Sequence, residues 1–76
     1  MKTRHIMLDT INDVKEFVGI VSRCEYEVDL ISDRYTIDAK SIMGIFSLDL
    51  SKPIQMNVHA DECDSFLNEI SRFLKD

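Results

Sequence analysis

DAKSIMGIFSLDLSK, residues 38–52, carries an apolar run that begins directly after a serine. Serine is one of the best residues for capping a helix, because its hydroxyl accepts a hydrogen bond from an amide of the first turn. The pattern therefore predicts a short helix that begins after Ser41. A helix N-terminus also offers free amides and a positive partial charge, so a phosphate on this serine would be tolerated there.

The apolar side chains of this helix are spread too widely for one buried face. Successive helical residues lie roughly 100° apart, and a core-facing stripe needs little more than about 100°. An arc of about 220° is covered here by Ile42, Met43, Ile45, Phe46 and Leu48. We assign Ile45 and Leu48 to the core. The other three either lie under loops of the same chain or form an exposed patch that binds another molecule, and we favour the patch.

Strand patterns lie on both sides of this helix. Alternating apolar and polar residues over 26–30, turn residues at 32–34 and a strand over 35–38 predict a β-hairpin. Another alternating strand follows Pro53 over residues 54–58. Proline is tolerated at such a strand start because its missing amide breaks no ladder there.

The two ends of the chain each add a helix. A strand over residues 5–8 precedes Thr10, which with Asp13 fits a helix-capping box. The stripe of the helix that follows is Ile11, Val14, Phe17, Val18 and Val21. The last helix begins among acidic residues near Asp61 and ends near Arg72 and Lys75, as the helix dipole favours. Its stripe is Phe66, Leu67, Ile70, Phe73 and Leu74.

This βαββαβα order predicts an α+β fold, a two-layer open-faced sandwich. A largely antiparallel four-stranded sheet would carry three helices on one face, in a single domain spanning residues 1–76. The open face of the sheet would expose His5, Glu27, Asp29, Thr36, Gln55 and Asn57.

Composition limits the classes of partner. The formal net charge of −5 over 76 residues disfavours nucleic acids and anionic membranes, which bind basic surfaces. Cys24 and Cys63 stand apart from each other and from any metal-binding motif, so we expect reduced thiols without a metal or cofactor. The N-terminus lacks the pattern of a secretory signal, and we expect a cytoplasmic protein.

Residues 37–48 resemble the regulatory-serine segment of HPr, the phosphocarrier of the bacterial sugar phosphotransferase system, which reads approximately K-S-I-M-G-[IVL]-M-S-L. Residues 60–62 resemble the family's G-x-D-E helix start. The resemblance implies the sheet order 1-4-2-3. It also implies that Ser41 matches the serine modified by HPr kinase/phosphorylase, and that Ile42, Met43 and Phe46 match the partner-docking patch.

The family's phosphate-accepting histidine is missing from this resemblance. Counting back from Ser41, the histidine position falls on Thr10 and the arginine position on Asn12. A phosphothreonine ester transfers its phosphoryl group far less readily than a phosphohistidine, and Asp9 and Asp13 would repel an incoming phosphate. His5 and His59 belong to strands and lack the family's surrounding motif, although antiparallel pairing of the first and last strands, as in the HPr sheet, could bring them close together.

Three functions remain open on the sequence. The favoured one is a non-catalytic HPr-like regulatory or adaptor protein that binds partners, including HPr kinase/phosphorylase, beside Ser41. The second is a phosphocarrier that uses a non-standard route, for instance through His5 or His59. The third is a structural homo-oligomer that hides the same patch against a second copy. We expect no independent enzyme activity, because these residues form no pair of acid and base or nucleophile triad.

Overall fold

A computed structural model describes residues 1–75. Four strands and three helices follow one another as β1 (Lys2–Ile6), α1 (Ile11–Ser22), β2 (Val28–Ser32), β3 (Tyr35–Asp38), α2 (Ile42–Phe46), β4 (Ile54–Val58) and α3 (Asp64–Glu69). A 3₁₀ turn, Ser71–Phe73, comes after α3. The βαββαβα order expected from the sequence is confirmed.

The strands form one antiparallel sheet in the order β1-β4-β2-β3. Met56 in β4 lies opposite Arg4 on one side and Leu30 on the other. The α+β fold class and the strand order implied by the HPr resemblance are thus both confirmed.

The core lies between one face of the sheet and the helices. Every second residue of β4 is fully buried, and so are the two apolar residues of β2 that flank Asp29; these are Ile54, Met56, Val58, Val28 and Leu30. They pack in one cluster with buried residues of all three helices. Phe17 of α1 meets Phe73 edge-to-face, with ring centroids 6.0 Å apart. This packing leaves the opposite sheet face mainly to polar side chains, with Ile31 of β2 as an apolar exception.

The first strand lies earlier than residues 5–8. Ile6 is its last residue, paired with Ile54 directly after Pro53, so β4 offers no partner beyond this point. The next amide, of Met7, donates instead to the Phe73 carbonyl at 2.9 Å. The prediction of a strand over 5–8 is wrong in its bounds, because the partner strand begins only at Ile54.

The final helix is shorter than its apolar stripe indicates. It ends at Glu69, and after the 3₁₀ turn the chain extends alongside β1, where Ile6 bridges to Leu74. The Lys75 amide donates to the His5 carbonyl at 2.9 Å. Leu74 therefore contacts the core from extended backbone, and the prediction of a helix reaching Lys75 is wrong.

The stripe of α1 is correct apart from its first residue. Val14, Phe17 and Val21 are buried and Val18 packs partly against the core, but Ile11 is 63 % exposed. Ile11 lies in the first turn, past the rim of the core, so the residues that cover Val14 do not reach it.

No helix within residues 1–75 combines the length and the apolar character that crossing a membrane requires.

Two residues of α2 allow a paired test of this packing. Ile45 is fully buried, whereas Met43 is 77 % exposed. We expect Ile45→Ala to lower the free energy of unfolding by about 2–5 kcal/mol, since it leaves a cavity in the core. Met43→Ala should change it by no more than about 0.5 kcal/mol. Urea denaturation measures both; equal losses would contradict the assignment of the two faces of α2.

Candidate functional site

Ser41 begins α2 as its N-cap, as predicted. Its Oγ accepts a hydrogen bond from the Gly44 amide at 3.2 Å. Its own amide donates to the Asp38 carbonyl at 2.9 Å, which ties the helix start to the end of β3. The residue is exposed. A fixed backbone therefore presents this hydroxyl to solvent.

Gly44 lies close to this hydroxyl. A Cβ at position 44 would lie 3.1 Å from the Oγ of Ser41 and 3.4 Å from the Cδ1 of Ile37. A side chain there would therefore require the Ser41 hydroxyl to shift by a few tenths of an ångström. Gly44 belongs to the sequence motif, but nothing in the one-dimensional pattern predicts this close contact.

The apolar residues of α2 divide between the core and the surface. Ile45 is fully buried and Leu48 is 9 % exposed, while Met43 and Phe46 are 77 % and 40 % exposed. Ile42 is half-buried and packs partly against the core. We call Ile42, Met43 and Phe46 the α2 patch. Loops of the described chain do not cover Met43 or Phe46, so the patch borders Ser41 as an apolar surface.

The N-terminus of α1 is closed by the chain's own side chains. Thr10 Oγ1 accepts from the Asp13 amide at 3.0 Å, completing the capping box predicted for this pair. In return Asp13 Oδ2 accepts from the amides of Asp9 and Thr10, at 3.0 and 3.3 Å. A carboxylate of the protein thus occupies amides that an added anion would need.

The charge on Asp13 is stabilised by its surroundings. The hydrogen bond from the Asp9 amide, followed by those from Thr10 and the positive charge of Arg72, lowers the pKa of Asp13 below its usual 3.8, against the opposing effect of burial. Arg72 lies 3.5 Å from Asp13, also pairs with Glu16, and has its guanidinium 4.2 Å from the Phe73 ring centroid. The one cation at this helix start is already paired with acidic groups of α1, among the residues described.

The two histidines lie far apart. His5 is opposite Gln55, four residues before His59 on the neighbouring strand. At about 3.3 Å a residue, this spacing is roughly 13 Å. The Nε2 of His59 lies 2.7 Å from Asp29 Oδ2 instead. The expectation that strand pairing brings His5 and His59 close together is wrong, because the register places them at opposite ends of β1 and β4.

Cys24 and Cys63 are free thiols near one tyrosine. Partial burial raises the pKa of the Cys24 thiol, and the same cause raises the pKa of Tyr26 to about 12. The Tyr26 ring packs edge-to-face on Phe66, with centroids 5.9 Å apart. These groups act as packing residues. Among residues 1–75 there is no group of three potential metal ligands and no pocket.

Sequence reasoning missed Arg72 as a neighbour of Thr10. The basic residue was assigned to the end of the last helix, where the dipole favours it. Its actual partners, Asp13 and Glu16, are more than 50 residues away in the chain. Asp13 and Glu16, spaced i, i+3 on α1, could have indicated a site for a basic residue. Only the folded structure shows that this residue is Arg72, because it comes from the far end of the chain.

Comparison with known families gives one match. Residues 13–76 match the family described as "PTS HPr component phosphorylation site". The matched region contains Ser41 and the α2 patch and begins just after Thr10 and Asn12. No curated protein sequence matches this chain.

Solved structures of HPr proteins share this fold. HPr-C-His from Thermoanaerobacter tengcongensis is 23 % identical, with a TM-score of 0.77 over 95 % of this chain and 89 % of that one. The phosphocarrier protein HPr from Bacillus anthracis is 19 % identical, with a TM-score of 0.73 over 97 % and 96 %. A histidine-containing phosphocarrier protein from Mycoplasma is 14 % identical, with a TM-score of 0.69 over 93 % and 86 %.

The Asp13 cluster makes stability depend on pH. Since the pKa of Asp13 is lower in the folded chain than its usual 3.8, the ionised carboxylate stabilises the fold above that pH, and the contribution is lost as the pH falls through the folded-state pKa. Asp13→Asn should therefore lower the melting temperature at about pH 7 but not at about pH 2. Thermal unfolding followed by circular dichroism measures both.

The control for this experiment is Glu25→Gln, an exposed carboxylate for which residues 1–75 contain no ion pair. This variant should melt like the parent at both pH values. An equal loss for Asp13→Asn at both pH values would show that the carboxylate charge does not matter.

Proposed function

This chain belongs to the HPr family, and on that premise we propose that it is a cytoplasmic, non-catalytic regulatory or adaptor protein that binds protein partners through the α2 patch. The observation that carries this proposal is the exposure of Met43 and Phe46 beside an exposed serine. Apolar side chains clustered on the surface of a small protein mark sites of interaction.

Phosphorylation of Ser41 would regulate this docking. A phosphoserine adds nearly two negative charges at about pH 7, here one to five residues before the α2 patch. A partner with an apolar site would then have to accommodate a dianion at the border of its contact. A partner that also carries arginine or lysine at this border would gain charge-assisted hydrogen bonds. The modification would thus change which partner binds.

The start of α1 supports a role without phosphate relay. Thr10 stands where the family has its histidine, and its hydroxyl is engaged in the capping box. The Asp13 carboxylate holds the nearby amides of Asp9 and Thr10. An incoming phosphoryl group would meet negative charge and few free donors, and a threonine ester would release it poorly.

The partners that we propose are proteins of the phosphotransferase system, including HPr kinase/phosphorylase. The net charge of −5 favours partners with a basic rim around an apolar centre. Lys40 and Lys52 are the basic residues nearest to α2 in the sequence, and Lys52 lies 3.9 Å from Asp49.

Ser41 should be the phosphate acceptor. Incubation with HPr kinase/phosphorylase and ATP, followed by mass spectrometry, should give one phosphate on Ser41 and none on the Ser41→Ala variant. Ser47 provides the matched control, since it lies at the other end of α2 and its Oγ donates to the Gly44 carbonyl at 2.6 Å; Ser47→Ala should be phosphorylated like the parent.

Two results would contradict this assignment. Phosphate on a residue other than Ser41 would exclude the proposed switch. An acid-labile phosphate transferred from phosphoenolpyruvate by enzyme I would instead establish a relay, and would exclude the non-catalytic role.

The α2 patch should determine binding of the partner. Met43→Asp and Phe46→Asp should each weaken the complex with HPr kinase/phosphorylase by about ten- to a hundredfold, because they place a charge in a desolvated contact. The control is Tyr35→Asp, a substitution at another exposed apolar residue, 67 % accessible on β3. Calorimetric titration at low protein concentration measures the affinity, and equal losses for all three variants would overturn the assigned surface.

A further inference from the structure

The two edges of the sheet are protected differently. The outer side of β1 is accompanied by the last described residues, through the Ile6–Leu74 bridge and the bonds of Met7 and Lys75. On the opposite edge β3 pairs with β2, and its other side faces no strand within residues 1–75. An unpaired strand edge is a template for a strand from another chain.

The register identifies which backbone groups this edge presents. Residues of an antiparallel pair alternate between those that exchange hydrogen bonds and those that do not. The Ala39 amide donates to the Val28 carbonyl at 2.9 Å, so Val28 and Ala39 form a hydrogen-bonded pair. The next hydrogen-bonded pairs along the two strands are then Leu30 with Ile37 and Ser32 with Tyr35.

The backbone amide and carbonyl groups of Thr36 and Asp38 consequently point away from β2, towards the open edge of the sheet. The Asp38 carbonyl already accepts from the Ser41 amide. Thr36 therefore presents both a donor and an acceptor at the open edge, at the centre of a strand that spans only Tyr35–Asp38. A strand pairing in antiparallel fashion would bond most fully opposite this residue.

The charged residues next to this edge would pair with opposite charges of a second copy of the chain. If β3 pairs with a second copy about Thr36, Arg34 lies opposite Asp38 of that copy, and the reverse pair forms by symmetry. Both residues are exposed. Arg34 is the second residue of the turn directly before β3, and it makes no ion pair within residues 1–75. One Asp38 oxygen accepts from the Lys40 amide at 2.9 Å, which fixes the carboxylate and leaves its other oxygen for the guanidinium.

Neighbouring registers lose this complementarity. A shift by two residues in one direction brings Arg34 near Lys40 of the second copy, at the turns that flank β3, and the two positive charges repel each other. A shift in the other direction places Asp38 opposite Ser32. Like charges directly opposite one another destabilise a strand pair, so the charges favour the register about Thr36.

The helix-side residues of β3 fit the same register. Tyr35 is 67 % exposed and Ile37 is half-buried. Pairing about Thr36 places Tyr35 of each copy opposite Ile37 of the other, and aromatic residues paired with β-branched ones stabilise antiparallel strands. The pairing would cover an aromatic side chain that the isolated chain leaves in water.

We propose that this chain forms a symmetric dimer through antiparallel pairing of β3 with β3 of a second copy, centred on Thr36. The two four-stranded sheets join into one, and the two-fold axis passes through the sheet, so the helices of both copies lie on the same face. This inference goes beyond the proposed adaptor function.

Sedimentation equilibrium between about 10 μM and 1 mM, in about 0.15 M salt to screen the net charge, measures the association. Thr36→Pro should weaken it at least tenfold, because proline removes the outward amide without breaking a bond to β2. Thr36→Val keeps that amide and should dimerise like the parent. Exchange of the Thr36 amide should slow as the parent protein is concentrated.

A charge exchange tests the register. Arg34→Asp and Asp38→Arg should each be monomeric alone, since each places like charges opposite one another. An equimolar mixture should dimerise, because every pair across that interface is then of opposite sign. Circular dichroism verifies that each variant is folded. If Thr36→Pro does not fold, the mixture of charge variants still tests the interface.

A parent protein that is monomeric over the whole range would overturn the proposal, and so would a mixture of the charge variants that fails to associate. A dimer that is lost in Met43→Asp but kept in Thr36→Pro would also overturn it, because the interface would then be the α2 patch. Binding of HPr kinase/phosphorylase is measured in a separate experiment. Absence of the dimer therefore does not contradict the adaptor function, and absence of partner binding does not contradict the dimer.

Discussion

A single layer of three helices must cover one whole face of the four-stranded sheet. The alternate residues of β2 and β4 are fully buried only because α1, α2 and α3 all supply side chains to the same cluster. A helix as short as α2 can meet this demand with Ile45 and little else. Its other apolar side chains are left at the surface, and that is where the proposed docking patch arises.

The beginning of α1 is a helix start that the chain's own side chains occupy. A helix start can hold an anion with its free amides, but here the Asp13 carboxylate takes two of them and Thr10 completes the cap. Arg72, which reaches this place from the end of the chain, is neutralised by Asp13 and Glu16. The chain has the fold of the HPr proteins, and its own side chains close this helix start.

The open edge of the sheet and the α2 patch share one continuous segment. Asp38 closes β3, accepts the Ser41 amide through its carbonyl and holds the Lys40 amide through its side chain. Ser41 then caps α2 through the Gly44 amide. Strand pairing and partner docking would consequently be separated by only a few residues, on different sides of the same turn. A phosphate on Ser41 would lie between them and would add negative charge close to Asp38.

The order of elements, the fold class and the caps at Ser41 and Thr10 could all be predicted from the sequence, because periodicity and capping are local properties of the chain. The helical wheel also showed that the apolar residues of α2 cover a wider arc than one buried stripe, which left Met43 and Phe46 outside it. The tertiary structure alone decided what depends on distant partners. The strand β1 ends at Ile6 because its partner strand begins at Ile54. The last helix ends at Glu69 because the residues after it extend alongside β1. His5 and His59 are far apart because of the register between β1 and β4. The position of Arg72 beside Asp13 and the unpaired side of β3 likewise follow from contacts between residues far apart in the chain, which no local pattern contains.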